Sequence, residues 1–409
     1  MSAFSHTDFN TVHGNQSTTI HNRTAPPVAE SGLECLYEVI SEVGALHDED
    51  ARFPPPKCHP DTRKDSGRAY YVGQPIWTKL LPATFEHFLT QTLSEQSTHH
   101  DEDPWSSNAI FWLYGPAGVG KSTIARTLCD RLHQKNLAAS FFFSRNSPTR
   151  DNLKYLFLTI ACCLATYSND SRLRSAIDKA VKKRPGVLKS SIVTQFHELI
   201  RKQWLPKLVV IDGLDECTGA DAQGLVLETI TGSAGGMVTS IPLRFLIISR
   251  PEHAIREVFN RPPLLSCANR TVLDDSADTA RDIELYLRNG FQDIRRVNSD
   301  ISFPSEWPEA DVLNELVMRA SGQFIYASTL LKYVGERSSY PPNHLQVVFN
   351  LPIGNAGPFA DLDILYHEIL ASSPQGSVVV QVLALVLLTS SRSTLEILDE
   401  VFSVRKEYR

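Results

Sequence analysis

The chain has 409 residues, 42% hydrophobic and 21% charged, which is enough for about two or three domains with ordinary globular cores. The formal net charge of -6 gives no electrostatic case for binding nucleic acids, which favour a basic face. Its most apolar run, Val378–Leu388, is shorter than the roughly 20 residues that a bilayer-spanning helix needs, so no membrane span is expected. Seven cysteines without a CxxC pair, and no signal peptide, indicate a reducing, cytoplasmic location.

The first part of the chain is predicted to consist of a polar tail and a helical region. Residues 1–32 are polar and are expected to be a disordered N-terminal segment. Residues 33–107 are predicted to form a helical and linker region, which begins with apolar residues at helical spacing over Leu33–Leu46. A second helix is predicted over Trp77–Leu93.

Apolar runs and helical patterns then alternate over residues 108–275. This alternation predicts βαβ units and therefore an α/β fold, with a parallel sheet flanked by helices. Strand patterns end near Ser276, so a helical domain is expected over residues 276–350. The predicted strands are Ala109–Tyr114, Ala138–Phe143, Leu208–Ile211 and Leu243–Ile248, with Thr271–Leu273 as a candidate fifth.

A phosphate-binding loop follows the first predicted strand. The segment Gly115–Ser122 matches G-x-x-x-x-G-K-[ST], and a helical pattern comes directly after it. Glycines let backbone N–H groups face the phosphates, and the helix N-terminus favours a polyanion. Lys121 is expected to reach the β- and γ-phosphates, and the Ser122 hydroxyl to bind Mg²⁺. The candidate nucleotide-binding residues are Gly115, Pro116, Ala117, Gly118, Val119, Gly120, Lys121, Ser122 and Thr123.

Three acidic residues follow the strand pattern Leu208–Ile211. Asp212 stands at the carboxyl end of the strand, where a parallel sheet places its ligands, and is the second candidate Mg²⁺ ligand. Asp215 and Glu216 lie on the next turn, where a carboxylate can act as general base on the attacking water. The alternative for this pair is a solvated acidic turn.

Arg250 follows the strand pattern Leu243–Ile248. If that strand lies between the P-loop strand and the Asp212 strand, Arg250 points at the γ-phosphate and distinguishes a triphosphate from a diphosphate. The alternative is a surface arginine at a strand end. No guanine-specific motif of the N/TKxD type is present, which favours ATP over GTP.

Taken together, these motifs resemble the NACHT-type signal-transduction NTPases of the STAND class, and most closely the large fungal set related to nucleotide-binding oligomerisation receptors. The resemblance covers about residues 33–350. The segments that carry it are Phe111–Thr127, Leu208–Cys217 and Ile248–His253, with support from Ala139–Arg145, Val272–Asp275, Asp282–Arg288, Ser321–Thr329 and the linker-like His47–Arg63.

The resemblance implies a switch of the kind used in innate immunity. Such a protein rests with ADP, activates with ATP and Mg²⁺, hydrolyses slowly and self-associates, alone or with related NACHT proteins. Lys121, Ser122 and Asp212 would bind phosphate and Mg²⁺, Asp215 and Glu216 would support hydrolysis, and Arg250 would be the sensor residue. Residues 351–409 would be a truncated winged-helix-like region.

Two other functions stay open on the sequence. One is an AAA+-like or kinase-like enzyme that turns nucleotide over rapidly. The other is a truncated regulator, since no WD, ankyrin or tetratricopeptide array follows the helical part. Lys64–Pro82 is a separate departure from the family pattern. For the switch, the expected catalytic activity is a weak Mg²⁺-dependent ATPase.

Overall fold

The computed structural model describes residues 31–46, 110–133, 136–167, 171–201, 207–232, 243–273, 277–336, 340–354, 359–372, 379–381 and 383–384. Residues 1–30 of the predicted disordered tail, the helix over Trp77–Leu93 and the linker-like His47–Arg63 lie outside these residues, whereas Ser31 and Gly32 of that tail begin the first helix. So does most of the region expected to resemble a winged helix.

The structure is organised around a sheet of five parallel strands. They are β1 (Ile110–Tyr114), β2 (Leu137–Phe142), β3 (Lys207–Asp212), β4 (Leu243–Ser249) and β5 (Ala268–Val272). Their order is β2-β3-β4-β1-β5, and every neighbouring pair is parallel. The predicted α/β fold is confirmed, and β4 lies between the P-loop strand and the Asp212 strand, as the prediction for Arg250 requires.

Continuous apolar strands form here because helices cover both faces of the sheet. Alternate residues of β3 point to opposite faces. Val209 packs in one core with residues of α3 and α4, and Val210 packs in the other core with α2. The helices of this part are α1 (Gly32–Ile40), α2 (Lys121–Leu132), α3 (Leu156–Tyr167), α4 (Ser171–Lys183), α5 (Ile192–Gln195), α6 (Ala220–Ile230), α7 (His253–Phe259) and α8 (Leu264–Cys267).

Short turns of other helical types complete this part of the chain. Segments of 3-10 helix cover Leu153–Tyr155, Pro185–Lys189 and Leu214–Glu216. A π-helical turn, Phe196–Ile200, continues α5. The sequence predicts a helix over Ile192–Trp204, and the structure confirms helix from Ile192 to Ile200 but changes its type from α to π at Phe196.

Residues 31–46 pack against the outer strand β2 and the helices beside it. Leu36 is fully buried in the same core as α3 and α4. The Ser31 hydroxyl donates to Asp178 Oδ1 on α4 (3.0 Å), and the Phe142 N–H of β2 donates to the carbonyl of Ala45 (2.8 Å). This segment therefore pairs with the last residue of the outer strand and covers part of the apolar core beside it.

A bundle of helices follows the sheet. These helices are α9 (Ala277–Val297), α10 (Ala310–Ala320), α11 (Phe324–Val334), α12 (Pro341–Phe349) and α13 (Ala360–Ala371). They share one hydrophobic core, which includes Phe291, Leu316 and Leu330. None of the helices in the described ranges is long and apolar enough to cross a membrane.

A buried arginine connects two helices of the bundle, α10 and α12. Arg319 on α10 donates through Nε to Glu315 (3.0 Å), and through Nη1 and Nη2 to the carbonyls of Val348 and Phe349 (3.2 and 3.1 Å). These two carbonyls end α12, where the last carbonyls of a helix have no N–H four residues on to pair them. The carbonyl of Val348 also accepts from the N–H of Leu351 (3.1 Å), so Arg319 adds a second donor there and supplies a donor to Phe349.

Candidate nucleotide-binding site

The P-loop connects β1 to α2, as the sequence predicts. Gly118 and Gly120 have φ values of 82° and 87°, in the left-handed region that side chains other than glycine rarely adopt. This curl brings the chain into α2, which begins at Lys121. Ser122 and Thr123 lie in the first helical turn, so the loop and the helix N-terminus form a cradle of the kind that binds phosphates.

Lys121 is held over this loop. Its Nζ donates to the carbonyls of Gly115 (2.7 Å) and Pro116 (2.6 Å). Burial lowers the pKa of the Lys121 ammonium from its usual 10.5; the charges of Asp215, Asp212 and Glu216 oppose that shift, and Arg250 adds to it. The charges of Asp212, Asp215, Glu216 and Arg250 thus all act on the Lys121 ammonium. The fold therefore brings the charged residues predicted from the sequence close to the P-loop.

The acidic residues lie at the carboxyl end of β3. Asp212 is the last residue of the strand and is only 3% exposed, and its carbonyl accepts from the N–H of Phe143 (2.9 Å). Asp215 and Glu216 lie on the 3-10 turn that follows. Asp215 is 4% exposed, whereas Glu216 is half-buried. Only Glu216 of this pair therefore keeps an accessible surface.

Asp215 is paired with Arg250. The backbone N–H of Arg250 donates to Asp215 Oδ1 (2.9 Å), and Arg250 Nε lies 3.3 Å from Oδ2. A buried carboxylate needs such donors because taking its charge out of water is costly. Its partners make Asp215 a residue that organises the site.

Arg145 also belongs to this cluster, although its sequence motif did not mark it as a site residue. Its Nη2 donates to the carbonyl of Asp215 (2.9 Å) and lies 3.8 Å from Asp215 Oδ2. Its backbone N–H donates to Glu216 Oε2 (3.2 Å). One signal could have found it: Arg145 follows β2 at the same edge of the sheet at which β3 ends in Asp212.

A buried hydrogen bond supports the end of β4. The indole Nε1 of Trp112 donates to the hydroxyl of Ser249 (2.9 Å), and both side chains are buried. The Trp112 ring also stacks on Phe259 of α7, with ring centres 4.2 Å apart. Because Ser249 precedes Arg250, this bond fixes the backbone from which the arginine projects.

The P-loop contacts the helical bundle directly. The N–H of Ile325, on α11, donates to the carbonyl of Gly118 (3.3 Å). A Cβ on Gly118 would lie 2.5 Å from Ile325 Cγ2, so the bundle approaches the loop as closely as a glycine allows. The turn before α11 bends through Ser321 and Gly322, both with positive φ. A conformational change in the P-loop can therefore be transmitted directly to α11 of the helical bundle.

The residues present fit a hydrated Mg²⁺ ion beside a nucleotide. Ser122 offers a hydroxyl in the first turn of α2, and Asp212 offers a buried carboxylate at the end of β3. The two elements pack in one core through Ile124 and Val210. Hydroxyl and carboxylate oxygens are the donors that Mg²⁺ prefers.

The profile of the family described as Nephrocystin 3, N-terminal matches residues 84–250. That stretch contains the P-loop, Asp212, Asp215, Glu216 and Arg250. The chain has the fold of a P-loop NTPase. The family match covers 167 of its 409 residues. No curated protein sequence matches the chain.

Solved structures were also compared with the chain. PCH-2 of C. elegans is 13% identical, with a TM-score of 0.38 over 70% of this chain and 69% of that one. Two point mutants of RuvB from Thermotoga maritima are 14% and 13% identical, with TM-scores of 0.35 and 0.29. These alignments cover 75% and 66% of this chain, and 72% and 65% of the RuvB chains.

Proposed function

We propose that this protein is a cytoplasmic signal-transduction switch of the NACHT type. In this proposal it rests with ADP and is activated by ATP with Mg²⁺. It then self-associates, alone or with related proteins, and hydrolyses ATP slowly to return to rest. The seven cysteines include no CxxC pair, which supports the choice of compartment.

One observation carries this proposal: the P-loop contacts the helical bundle through Gly118 and Ile325. A ligand can shift a two-state protein only through contacts that differ between the states. The γ-phosphate is the part that distinguishes ATP from ADP, and it would lie near Lys121 and Arg250. The bundle is close enough to respond to that difference.

Each residue of the site has a role in the proposal. Lys121 and the P-loop N–H groups bind the phosphates, and Ser122 and Asp212 hold Mg²⁺, which when bound neutralises charge on the phosphates. Arg250 senses the γ-phosphate. Glu216, the accessible carboxylate of the turn, orients the attacking water and accepts its proton. Asp215 keeps Arg250 in place.

The test is nucleotide binding, turnover and size in the purified full chain. Lys121→Ala should weaken ATP and ADP affinity by about 100-fold or more, because a charged donor to the phosphates is lost. Lys179→Ala is the matched control, since Lys179 is exposed on α4. Glu216→Gln should bind both nucleotides and lose most of the hydrolysis.

Different results would point elsewhere. Light scattering should show larger particles of wild type with a non-hydrolysable ATP analogue than with ADP. Equal size in both nucleotides contradicts the switch. Wild-type turnover within the range of ordinary enzymes, about 1–10³ s⁻¹, would instead favour a working ATPase.

A further inference from the structure

The sensing role of Arg250 creates an electrostatic problem. The side chain of Asp215 is 3% exposed, and Arg250 Nε lies 3.3 Å from its Oδ2. If the guanidinium turns to the γ-phosphate, it leaves this buried carboxylate. Removing one partner of a buried ion pair is strongly unfavourable, because the other charge stays buried and uncompensated. Arg250 therefore cannot reach a phosphate at low cost unless another cation remains on Asp215.

The guanidinium of Arg145 also lies beside Asp215. Arg145 Nη2 is 2.9 Å from the carbonyl oxygen and 3.8 Å from Oδ2 of Asp215. Its side chain is 56% exposed, so a small rotation of a long side chain can bring it closer. Its backbone is fixed independently, since its N–H donates to Glu216 Oε2. Lys121 is directed elsewhere, to the loop carbonyls of Gly115 and Pro116.

We propose that Arg145 is a positioning residue, the second counter-ion of Asp215, which lets Arg250 exchange the carboxylate for the γ-phosphate. The inference rests on the proposed function, in which Arg250 contacts that phosphate. According to this inference, Arg145 contributes to the preference of the site for a nucleoside triphosphate over a diphosphate. Arg145 acts through Asp215 and does not itself need to touch the nucleotide.

The measurement is calorimetric titration with AMP-PNP and with ADP, both with Mg²⁺. In Arg145→Ala the affinity for AMP-PNP should fall about tenfold more than the affinity for ADP, or about 1.4 kcal/mol. Arg145→Lys keeps the charge and should stay close to the wild-type ratio. Arg296→Ala is the control, because this arginine pairs with Asp293 on an exposed face of α9 and its side chain is 79% exposed.

A double-mutant cycle distinguishes positioning from other roles. Asp215→Asn removes the charge that needs a counter-ion, so adding Arg145→Ala to it should change the affinity ratio by less than about twofold. A tenfold effect that persists in the Asp215→Asn background would mean that Arg145 acts on the nucleotide directly, and would overturn the inference. Equal loss of both nucleotides in Arg145→Ala would indicate a scaffold role and also overturn it.

Folding and the proposed function are controlled separately. Thermal unfolding of every variant is recorded, and Arg145→Gln replaces Arg145→Ala if the alanine variant does not fold. If wild type binds neither nucleotide, the proposed function fails and the inference fails with it. If wild type binds both and Arg145→Ala or Arg145→Gln keeps its ratio, only the inference fails.

Discussion

Replacing Gly118 by alanine tests the contact between the P-loop and α11. The φ of Gly118 is 82°, and the added Cβ would lie 2.5 Å from Ile325 Cγ2. A side chain in left-handed backbone costs about 1–2 kcal/mol. Overpacking of this kind costs about 1–3 kcal/mol more. We therefore expect Gly118→Ala to lose about 2–5 kcal/mol of unfolding free energy, and its thermal midpoint to fall by at least about 4 °C.

The steric part of this loss can be separated from the backbone part. Ile325→Ala removes the Cγ2 that the new Cβ meets, so in the Gly118→Ala background it should recover about 1–3 kcal/mol. The backbone part should remain. The assay is thermal unfolding of the two single variants and the double variant, each with and without ADP and Mg²⁺.

The control is Gly186→Ala, because no atom would lie within 4 Å of the added Cβ and the φ of Gly186 is not positive. Its midpoint should stay near that of wild type. The reasoning is refuted if Gly118→Ala costs no more than Gly186→Ala, or if Ile325→Ala gives no recovery. In either case the loop and α11 are not in contact as described.

Two further predictions concern parts of the fold outside the site. Arg319→Met should lose about 2–4 kcal/mol in urea unfolding, because Glu315 and the carbonyl of Phe349 lose the donor that Arg319 gives them. Arg296→Met, in an exposed pair, should stay within about 0.5 kcal/mol of wild type, and equal losses in the two variants would contradict the argument. Burial raises the pKa of the Cys162 thiol from 9.0 to about 11. Because the folded thiol holds its proton more tightly than the unfolded one, its contribution to stability is complete below pH 9 and is lost as pH rises toward about 11. The urea midpoint of wild type should fall more steeply over that range than the midpoint of Cys162→Ala, and parallel curves would refute the assignment.

The strands and the P-loop could be predicted because their signals are local. Apolar runs such as Leu208–Ile211 indicate buried parallel strands, and the spacing of Gly115 to Ser122 fixes the loop. The position of β4 also followed, since the known order of such sheets places Arg250 near the site. These inferences needed no information about side-chain contacts.

Other features depend on contacts between segments that are distant in sequence. Arg145 and Asp215 are 70 residues apart, and their pairing arises only when β2 and β3 lie side by side. The contact of Gly118 with Ile325 joins the loop to a helix from another part of the chain. The short helices α7 and α8 also escaped prediction, because seven and four residues are too few to show a reliable period.

The packing of residues 31–46 has a practical consequence for dissecting the protein. Composition suggests cutting the chain at residue 108, where the NTPase segment was predicted to begin. Such a fragment would lack Leu36 from its core and the Ala45 carbonyl that accepts from Phe142 on the outer strand. An exposed strand edge beside an uncovered apolar face invites intermolecular pairing. Soluble expression of an isolated NTPase domain should therefore depend on starting the fragment before Ser31, whatever connects that segment to β1.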